Sequence, residues 1–281
     1  MNYSNEINNY IISSDKIIKN FITLLSPLYK KDLNEHQYAT VSLFTSLHST
    51  SESILILLLH GALFDADVLL RTVIEGTIKY CYLLNGNNDE KEKKYIEYKN
   101  ILTDIDKLSE HRKALETLSI FTNFKITNSK LPFETNILTD DEVASLEKKY
   151  SSSMRNKIKK QWSFQQLLKK LAESNEEYKK LFGLISTYSL TSHLIHYDWT
   201  GSSMRQAQIT SSHFKENIVF DIAQAARILS NVLSFYLFRT AEYTKNYNLF
   251  STEINSLYSK TLDIITELDK LNYDILEKYA K

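Results

Sequence analysis

Turn-forming residues are scarce in this sequence, and the scarcity limits the folds that the chain can adopt. Only 5 glycines and 2 prolines occur among 281 residues. All-β proteins need turn residues about every 8 to 12 positions, so the composition argues against them. Apolar residues instead recur at intervals of three and four, which is typical of helices that bury one face. The pattern predicts helices at 3–26, 36–60, 63–84, 89–121, 139–160, 163–173, 175–196, 213–247 and 250–279.

We therefore expect an all-α protein, a single-domain bundle of about eight or nine helices that spans residues 1–281. Its core is expected within 36–247, followed by a C-terminal helix at 250–279. We interpret residues 122–138 as an irregular excursion within this domain, because the helices on both sides are amphipathic and need partners. The segment 63–84 is apolar on nearly every side, which is typical of a central helix.

The charge balance and the apolar runs narrow the classes of function. Lys plus Arg equals Asp plus Glu at 34 each, so no net charge draws the whole chain toward nucleic acid or a membrane. The N-terminus lacks the pattern of a secretory signal, and the strongest apolar run, 54–64, is too short to span a bilayer. The sequence contains no glycine-rich phosphate loop, nucleophile elbow or Cys/His zinc pattern. We expect a cytoplasmic protein that binds no membrane and needs no cofactor.

Three charges share one face of the predicted central helix. Asp67, Arg71 and Glu75 follow one another at four-residue steps, so they lie within a sector of about 80°. Charges on a buried helix must be paired, because an isolated buried charge costs several kcal/mol. Arg71 could bridge the two carboxylates along its own helix. Alternatively, Arg71 and Glu75 could face a polar pocket between helices, where helix bundles commonly build their sites.

A second polar column lies in the segment 184–203, where hydroxyls and imidazoles recur at helical spacing. Its members are Tyr188, Ser192 and His196, with Ser189 and His193 in the adjacent row and Asp198 after them. His196 could be held by a carboxylate such as Glu75 or Asp198, or it could act as a general acid–base group. His193, His196 and Asp198 supply three types of metal ligand, but their spacing is loose, and we predict no metal site.

Both columns resemble a known family. "LLRTVIEGTIKYCYLL" is similar to the L-x-R-x-x-x-E-x-x-x-x-x-Y-L core of bacterial helical proteins grouped as domain of unknown function 5677. "YSLTSHLIHYDW" resembles their Y-x-x-x-S-x-x-x-H segment, and "QWSFQQLLKKLAE" resembles the helix between the two. The resemblance covers roughly residues 50–200. It points to site residues in both columns, namely Arg71, Glu75, Tyr188, Ser192 and His196, and it implies no activity.

A wider resemblance is to the HEPN superfamily, helical bundles that include RNA-cleaving toxins and antiviral effectors. Those enzymes place an Arg and a His in one short motif, with four to six residues between them. In this chain the nearest match is Arg205 and His213, with seven residues between them, so the sequence departs from that motif.

Two functions of different classes follow from these patterns. The first is a HEPN-like RNA-cleaving toxin or antiviral effector, in which His196 is the acid–base group, Arg71 stabilises phosphate and Glu75 orients one of them. The second is a non-enzymatic helical module that binds a partner protein or small ligand, with the polar columns as a structural network. RNA or a nucleotide is the expected ligand of the first. A homodimer could form through the long helices near the C-terminus.

Overall fold

The chain folds into helices, as the sequence predicts. The computed structural model describes residues 3–26, 33–123, 132–196, 198–210 and 214–279, and none of these residues lies in a strand. The all-α class is therefore confirmed. The described residues form twelve α-helices of nine or more residues rather than eight or nine, together with the short α9. They are α1 Tyr3–Leu25, α2 Glu35–Leu59, α3 Leu63–Leu84, α4 Asn88–Ile96, α5 Leu102–Asn123, α6 Asp140–Lys149, α7 Ser152–Gln161, α8 Phe164–Ser174, α9 Glu176–Lys179, α10 Leu184–His196, α11 Trp199–Thr210, α12 Phe214–Tyr247 and α13 Thr252–Tyr279.

Several predicted helices are divided. The segment 89–121 forms α4 and α5 joined by a π-helical stretch, Glu97–Ile101. The segment 139–160 forms α6 and α7, because Tyr150 adopts an extended conformation and the Ser151 side chain then accepts the Met154 N–H as the cap of α7. The helix α11 was not predicted at all. A capping box of Thr139 and Glu142 begins α6.

By its internal contacts the chain divides into two compact units. The first comprises Met1–Asn85 and Leu168–Lys281, and the second Gly86–Leu167. Compact units can belong to one domain or to two, so the single domain with an excursion at 122–138 stays a prediction. Much of that excursion, 124–131, lies outside the described residues.

In the first unit, α3 is the predicted central helix. It lies against α2, α10 and α12, and α12 also packs on α1, α2 and α13. Leu70, Ile74 and Ile78 on α3 are fully buried. Gly61 adopts a positive φ of 72° between α2 and α3, a conformation that favours glycine, so the two helices are separate.

The interior of the first unit also holds a cation. Arg239 on α12 is fully buried, and it donates hydrogen bonds from Nη1 to the Thr77 hydroxyl and from Nη2 to the Ser51 hydroxyl. Its Cζ lies 5.1 Å from the centroid of the Tyr236 ring. Burial lowers the pKa of Arg239 to about 10. A guanidinium held by hydroxyls and a ring therefore ties α12 to α2 and α3.

An apolar stripe along α13 is mostly buried within the chain. Ile254, Leu257, Leu268 and Leu271 are buried, whereas Leu262 is 54% exposed. The helix packs against α12 and α1. Because this packing already covers most of the stripe, the homodimer through the C-terminal helices stays a prediction.

The second unit is built around α5. The Trp162 indole donates to Glu97 and stacks on Tyr98. His111 lies on α5 of this unit. Its side chain is buried, and its Nδ1 accepts the backbone N–H of Leu138, which fastens the segment before α6 to α5.

Among the described residues, two helical segments have the length and composition of membrane spans, namely Glu35–Leu59 and Ile218–Tyr247. Core helices of soluble proteins meet the same criteria, and both segments contribute many buried residues to the first unit. This is weak evidence for a membrane, and the cytoplasmic location stays a prediction.

Candidate functional site

The two polar columns meet where α10 lies along α3. Arg71 donates from Nη2 to the Tyr188 hydroxyl at 2.9 Å, and its Cζ lies 4.2 Å from the centroid of the Tyr188 ring. The guanidinium thus contacts both the ring and the hydroxyl of one tyrosine, a combination that the planar group of arginine favours. We call Arg71, Glu75, Lys79 and Tyr188 the α3–α10 cluster.

Glu75 links the tyrosine to a second cation. Its Oε1 accepts from the Lys79 ammonium at 2.9 Å, one turn along α3, and its Oε2 lies 3.4 Å from the Tyr188 hydroxyl. Tyr188 has one proton to donate, which is directed at Glu75, while its oxygen accepts from Arg71. Glu75 and Tyr188 are both half-buried, so the chain of bonds lies at the margin of the core.

Arg71 has no carboxylate partner among the described residues. The expected bridge along α3 to Asp67 and Glu75 does not form, because Glu75 pairs with Lys79 and Asp67 forms an ion pair with an arginine of α12. The Nη1 atom of Arg71 is buried and has no hydrogen-bond partner within the described part of the chain. The residue as a whole is half-buried, so a cation with an unused donor lies between core and solvent.

Asp67 belongs to a separate pair. It is 1% exposed, and it accepts hydrogen bonds from the Arg227 guanidinium at 2.7 and 2.9 Å and from the Gln224 amide at 3.0 Å. Both donors come from α12. This buried carboxylate is fully partnered, so its evident role is to fasten α3 to α12.

The end of the second column forms a local structure of its own. His193 Nδ1 lies 2.5 Å from Asp198 Oδ2, and Asp198 Oδ1 accepts the Gly201 N–H at the start of α11. These bonds to the carboxylate, first the Gly201 amide and then His193, lower the pKa of Asp198. Asp198 thereby caps α11 and joins it to α10.

His196 is exposed, and it forms no hydrogen bond or ion pair with Glu75, Asp198 or any other described residue. It lies eight residues after Tyr188 on α10, which is about 12 Å along the helix axis. Ser192, between them, is half-buried. A ligand must therefore extend along α10 to meet both Arg71 and His196.

Other predicted groups are placed as follows. No cluster of three or more His, Cys, Asp or Glu side chains suited to a metal ion occurs in the part of the chain that the structure describes. Arg205 forms an ion pair with Asp65 at 3.0 Å and lies over the Phe64 ring. His213, its expected companion, lies outside the described residues.

Sequence reasoning missed the partners that α12 supplies. Arg227 stands in the apolar run "AQAARILSNVL", where a charged residue is as unexpected as Asp67 is on α3. That anomaly could have indicated the ion pair, because two buried charges of opposite sign on different helices are expected to pair. Lys79 was likewise overlooked, although its four-residue spacing from Glu75 favours a pair on one helix.

Comparison with known proteins gives one result. Residues 37–211 match a family of unknown function, DUF5677. No curated protein matches the chain, and no solved structure does. The matched residues contain all of α3, α10 and α11 and most of α2, and they exclude α12 and α13. Since the match extends over more than half of the sequence and includes both polar columns, the chain belongs to the DUF5677 family.

Proposed function

We propose that this protein is an RNA-cleaving effector of the HEPN-like kind, in which Arg71 binds a phosphate and His196 transfers protons. The observation that carries the proposal is the incomplete hydrogen bonding of Arg71. Its guanidinium has no carboxylate partner among the described residues and retains a buried donor without a hydrogen bond. Buried polar groups are normally satisfied, and an unsatisfied one calls for an explanation. A phosphate oxygen is the natural partner of a guanidinium.

The neighbouring groups are consistent with anion binding at this position. Asp67 is occupied by Arg227, and Glu75 by Lys79, so neither carboxylate neutralises Arg71. Tyr188 fixes the guanidinium plane by contact with its ring and hydroxyl. Nη1 is covered by other atoms, so an anion must displace those atoms to reach it. The anion would enter where Arg71 is exposed to solvent.

His196 supplies the second element of the proposal. Its imidazole is exposed and free of hydrogen bonds to described residues, so both ring nitrogens remain available to a ligand. RNA extends over several nucleotides, and one strand along α10 could meet Arg71 and His196 together. The role of Glu75 is then to orient Arg71 through Tyr188.

The second candidate is the non-enzymatic helical module, and the Asp67 pair favours it. A buried carboxylate with every donor in place is what a structural network requires. The zero net charge of the chain points the same way, since RNA-binding proteins usually carry a basic face. In that case Arg71 and Tyr188 only fix the packing of α10 on α3.

Binding of RNA to Arg71 variants separates the two candidates. Fluorescence anisotropy with a labelled single-stranded RNA should show weaker binding for Arg71→Gln, by roughly tenfold, since one charge-assisted contact to phosphate is lost. Arg112→Gln is the matched control, because Arg112 is an exposed arginine whose side chain pairs with Glu147 in the second unit. Denaturation midpoints should be compared first, to establish that both variants are folded.

Equal binding by the wild type and by both variants would contradict the role of Arg71. If Arg71→Gln loses several kcal/mol of stability and the wild type binds no RNA, the cluster is part of the scaffold and the helical-module candidate stands.

A further inference from the structure

The two tryptophans of this chain lie in opposite environments. Trp162 is 5% exposed and holds Glu97 through its indole nitrogen, whereas Trp199 is 84% exposed. Indole is a large apolar group that proteins commonly use for binding, because it adds contact area at a small cost in conformational entropy. Exposure alone does not make a site, since single apolar residues are common on protein surfaces.

The backbone on either side of Trp199 is held firmly in place. Asp198, just before it, bonds to the His193 ring and caps α11 through the Gly201 N–H. Gly201, two residues after it, is buried against α10. A Cβ there would lie 2.2 Å from the His193 carbonyl oxygen, so only glycine allows this approach. We call the linked residues His193, Asp198 and Gly201 the α10–α11 corner. Trp199 thus projects from a backbone that is fixed on both sides.

The surroundings of Trp199 are polar. Its neighbours one turn along α11 are Ser202 and Ser203, Thr200 follows it directly, and the exposed His196 precedes it by three residues. Protein-binding hot spots lie within a cluster of apolar groups, and membrane-binding helices carry several apolar residues on one face with Lys or Arg on the other. Neither arrangement is present in the described residues of this corner. A flat aromatic face among hydroxyls and an imidazole is what a single stacked base requires.

We propose that Trp199 is a stacking platform for a base of single-stranded RNA, held beside His196 by the α10–α11 corner. This inference rests on the proposed RNA function and adds a residue that selects the substrate. Duplex RNA has its bases stacked on one another and cannot offer one to the indole. The platform therefore discriminates in favour of single strands.

Intrinsic fluorescence tests the platform. The probe is a short single-stranded 2′-O-methyl oligonucleotide, which lacks the free 2′-hydroxyl that attacks in metal-independent RNA cleavage. Stacking should quench the emission of Trp199, and Trp162 should contribute no change because it is buried. The quenching should be absent from Trp199→Phe, and Trp199→Ala should bind the probe roughly ten- to a hundredfold more weakly, as expected for one stacked base. Tyr38→Ala removes an aromatic residue of the same unit that is 67% exposed, and it should bind as the wild type does.

Each outcome separates this inference from the proposed function. If Arg71→Gln weakens binding but Trp199→Ala does not, the platform is wrong and the phosphate site stands. If only Trp199→Ala weakens binding, the platform stands and the role of Arg71 is wrong. No binding of the probe by the wild type overturns the platform. A blue shift of Trp199 emission on mixed phosphatidylcholine and phosphatidylserine vesicles, with no response to the oligonucleotide, also overturns it and assigns the indole to a lipid surface.

Discussion

At the scale of single residues, the main energetic constraint on the first unit is the burial of charge at Asp67 and Arg239. Both side chains are at most 1% exposed. Asp67 has a cationic partner, whereas Arg239 contacts two hydroxyls and an aromatic ring, and its buried Nε has no hydrogen-bond partner among the described residues. Desolvation disfavours the charged form of a guanidinium, which accounts for the lowered pKa of Arg239. Charges at these depths fix which helices meet, because any other packing leaves them unpaired.

The Asp67 pair supports a stability prediction. Arg227→Met leaves a buried carboxylate with only the Gln224 amide as donor, and we expect it to lower the free energy of unfolding by about 3–5 kcal/mol. Urea denaturation measures this loss. Arg112→Met is the control, because the side chain of Arg112 is 58% exposed and its ion pair is worth at most about 1 kcal/mol. Similar losses in both variants would contradict the assignment of Arg227 as the essential partner of Asp67.

His48 provides a prediction about pH. Burial lowers its pKa, an effect that Glu52 opposes and Arg239 reinforces; Lys19 and Asp15 are further charged groups that act on it. His48 Nδ1 lies 3.0 Å from the Tyr236 hydroxyl, and its Nε2 lies 3.5 Å from a Glu52 carboxylate oxygen. Because the folded pKa lies below the unfolded value of about 6.5, the unfolded state takes up the proton first.

The contribution of His48 to the free energy of unfolding should therefore be constant above about pH 6.5. It should decline as the pH falls toward the folded pKa, by at most about 1.4 kcal/mol per pH unit. Urea midpoints at pH 7.5 and pH 5.5 measure the decline. His48→Asn retains an amide donor toward Tyr236 but does not titrate, so its decline should be smaller. An equal decline in both proteins would show that other groups cause it.

At the scale of helices, local sequence signals account for where several elements begin and end. Asn34 and Thr139 begin α2 and α6 with capping boxes, and Gly61 separates α2 from α3. The sequence pattern failed where a cap depends on a contact between helices. The segment of α11 contains few apolar residues, and its start depends on the link from Asp198 to His193 and on the approach of Gly201 to α10. The spacing of apolar residues does not predict a corner of this kind.

The α10–α11 corner gives a prediction that a pair of glycines can test. Gly201→Ala places a methyl group against the His193 carbonyl, a backbone atom that cannot move without displacing α10, so we expect a loss of about 1–3 kcal/mol. Gly183→Ala is the matched control, because a Cβ at Gly183 has nothing within 4 Å. Thermal unfolding of both variants checks the difference. If Gly201→Ala is as stable as Gly183→Ala, the corner is less tightly packed than described.

At the scale of the whole molecule, composition and periodicity predicted the all-α class and the central position of α3. They also selected two columns that meet, at Arg71 and Tyr188. The partners of the buried charges could not be predicted, because Arg227 and Gln224 lie more than 150 residues from Asp67 and pairing at that distance depends on packing. For the same reason the sequence could not show that Arg71 has no carboxylate partner among the residues that the structure describes. The proposed function is based on that feature of Arg71.

RNA cleavage by purified protein, wild type against His196→Ala, is the measurement to make first. His196 is exposed and without hydrogen bonds to described residues, so its replacement should leave the denaturation midpoint unchanged. We predict that the wild type cleaves a labelled single-stranded RNA without added metal and that His196→Ala is slower by about 10²- to 10⁴-fold, the contribution of one general acid–base group. Equal rates in the two proteins, or no cleavage by the wild type, would contradict the assignment of an RNA-cleaving site to α3 and α10.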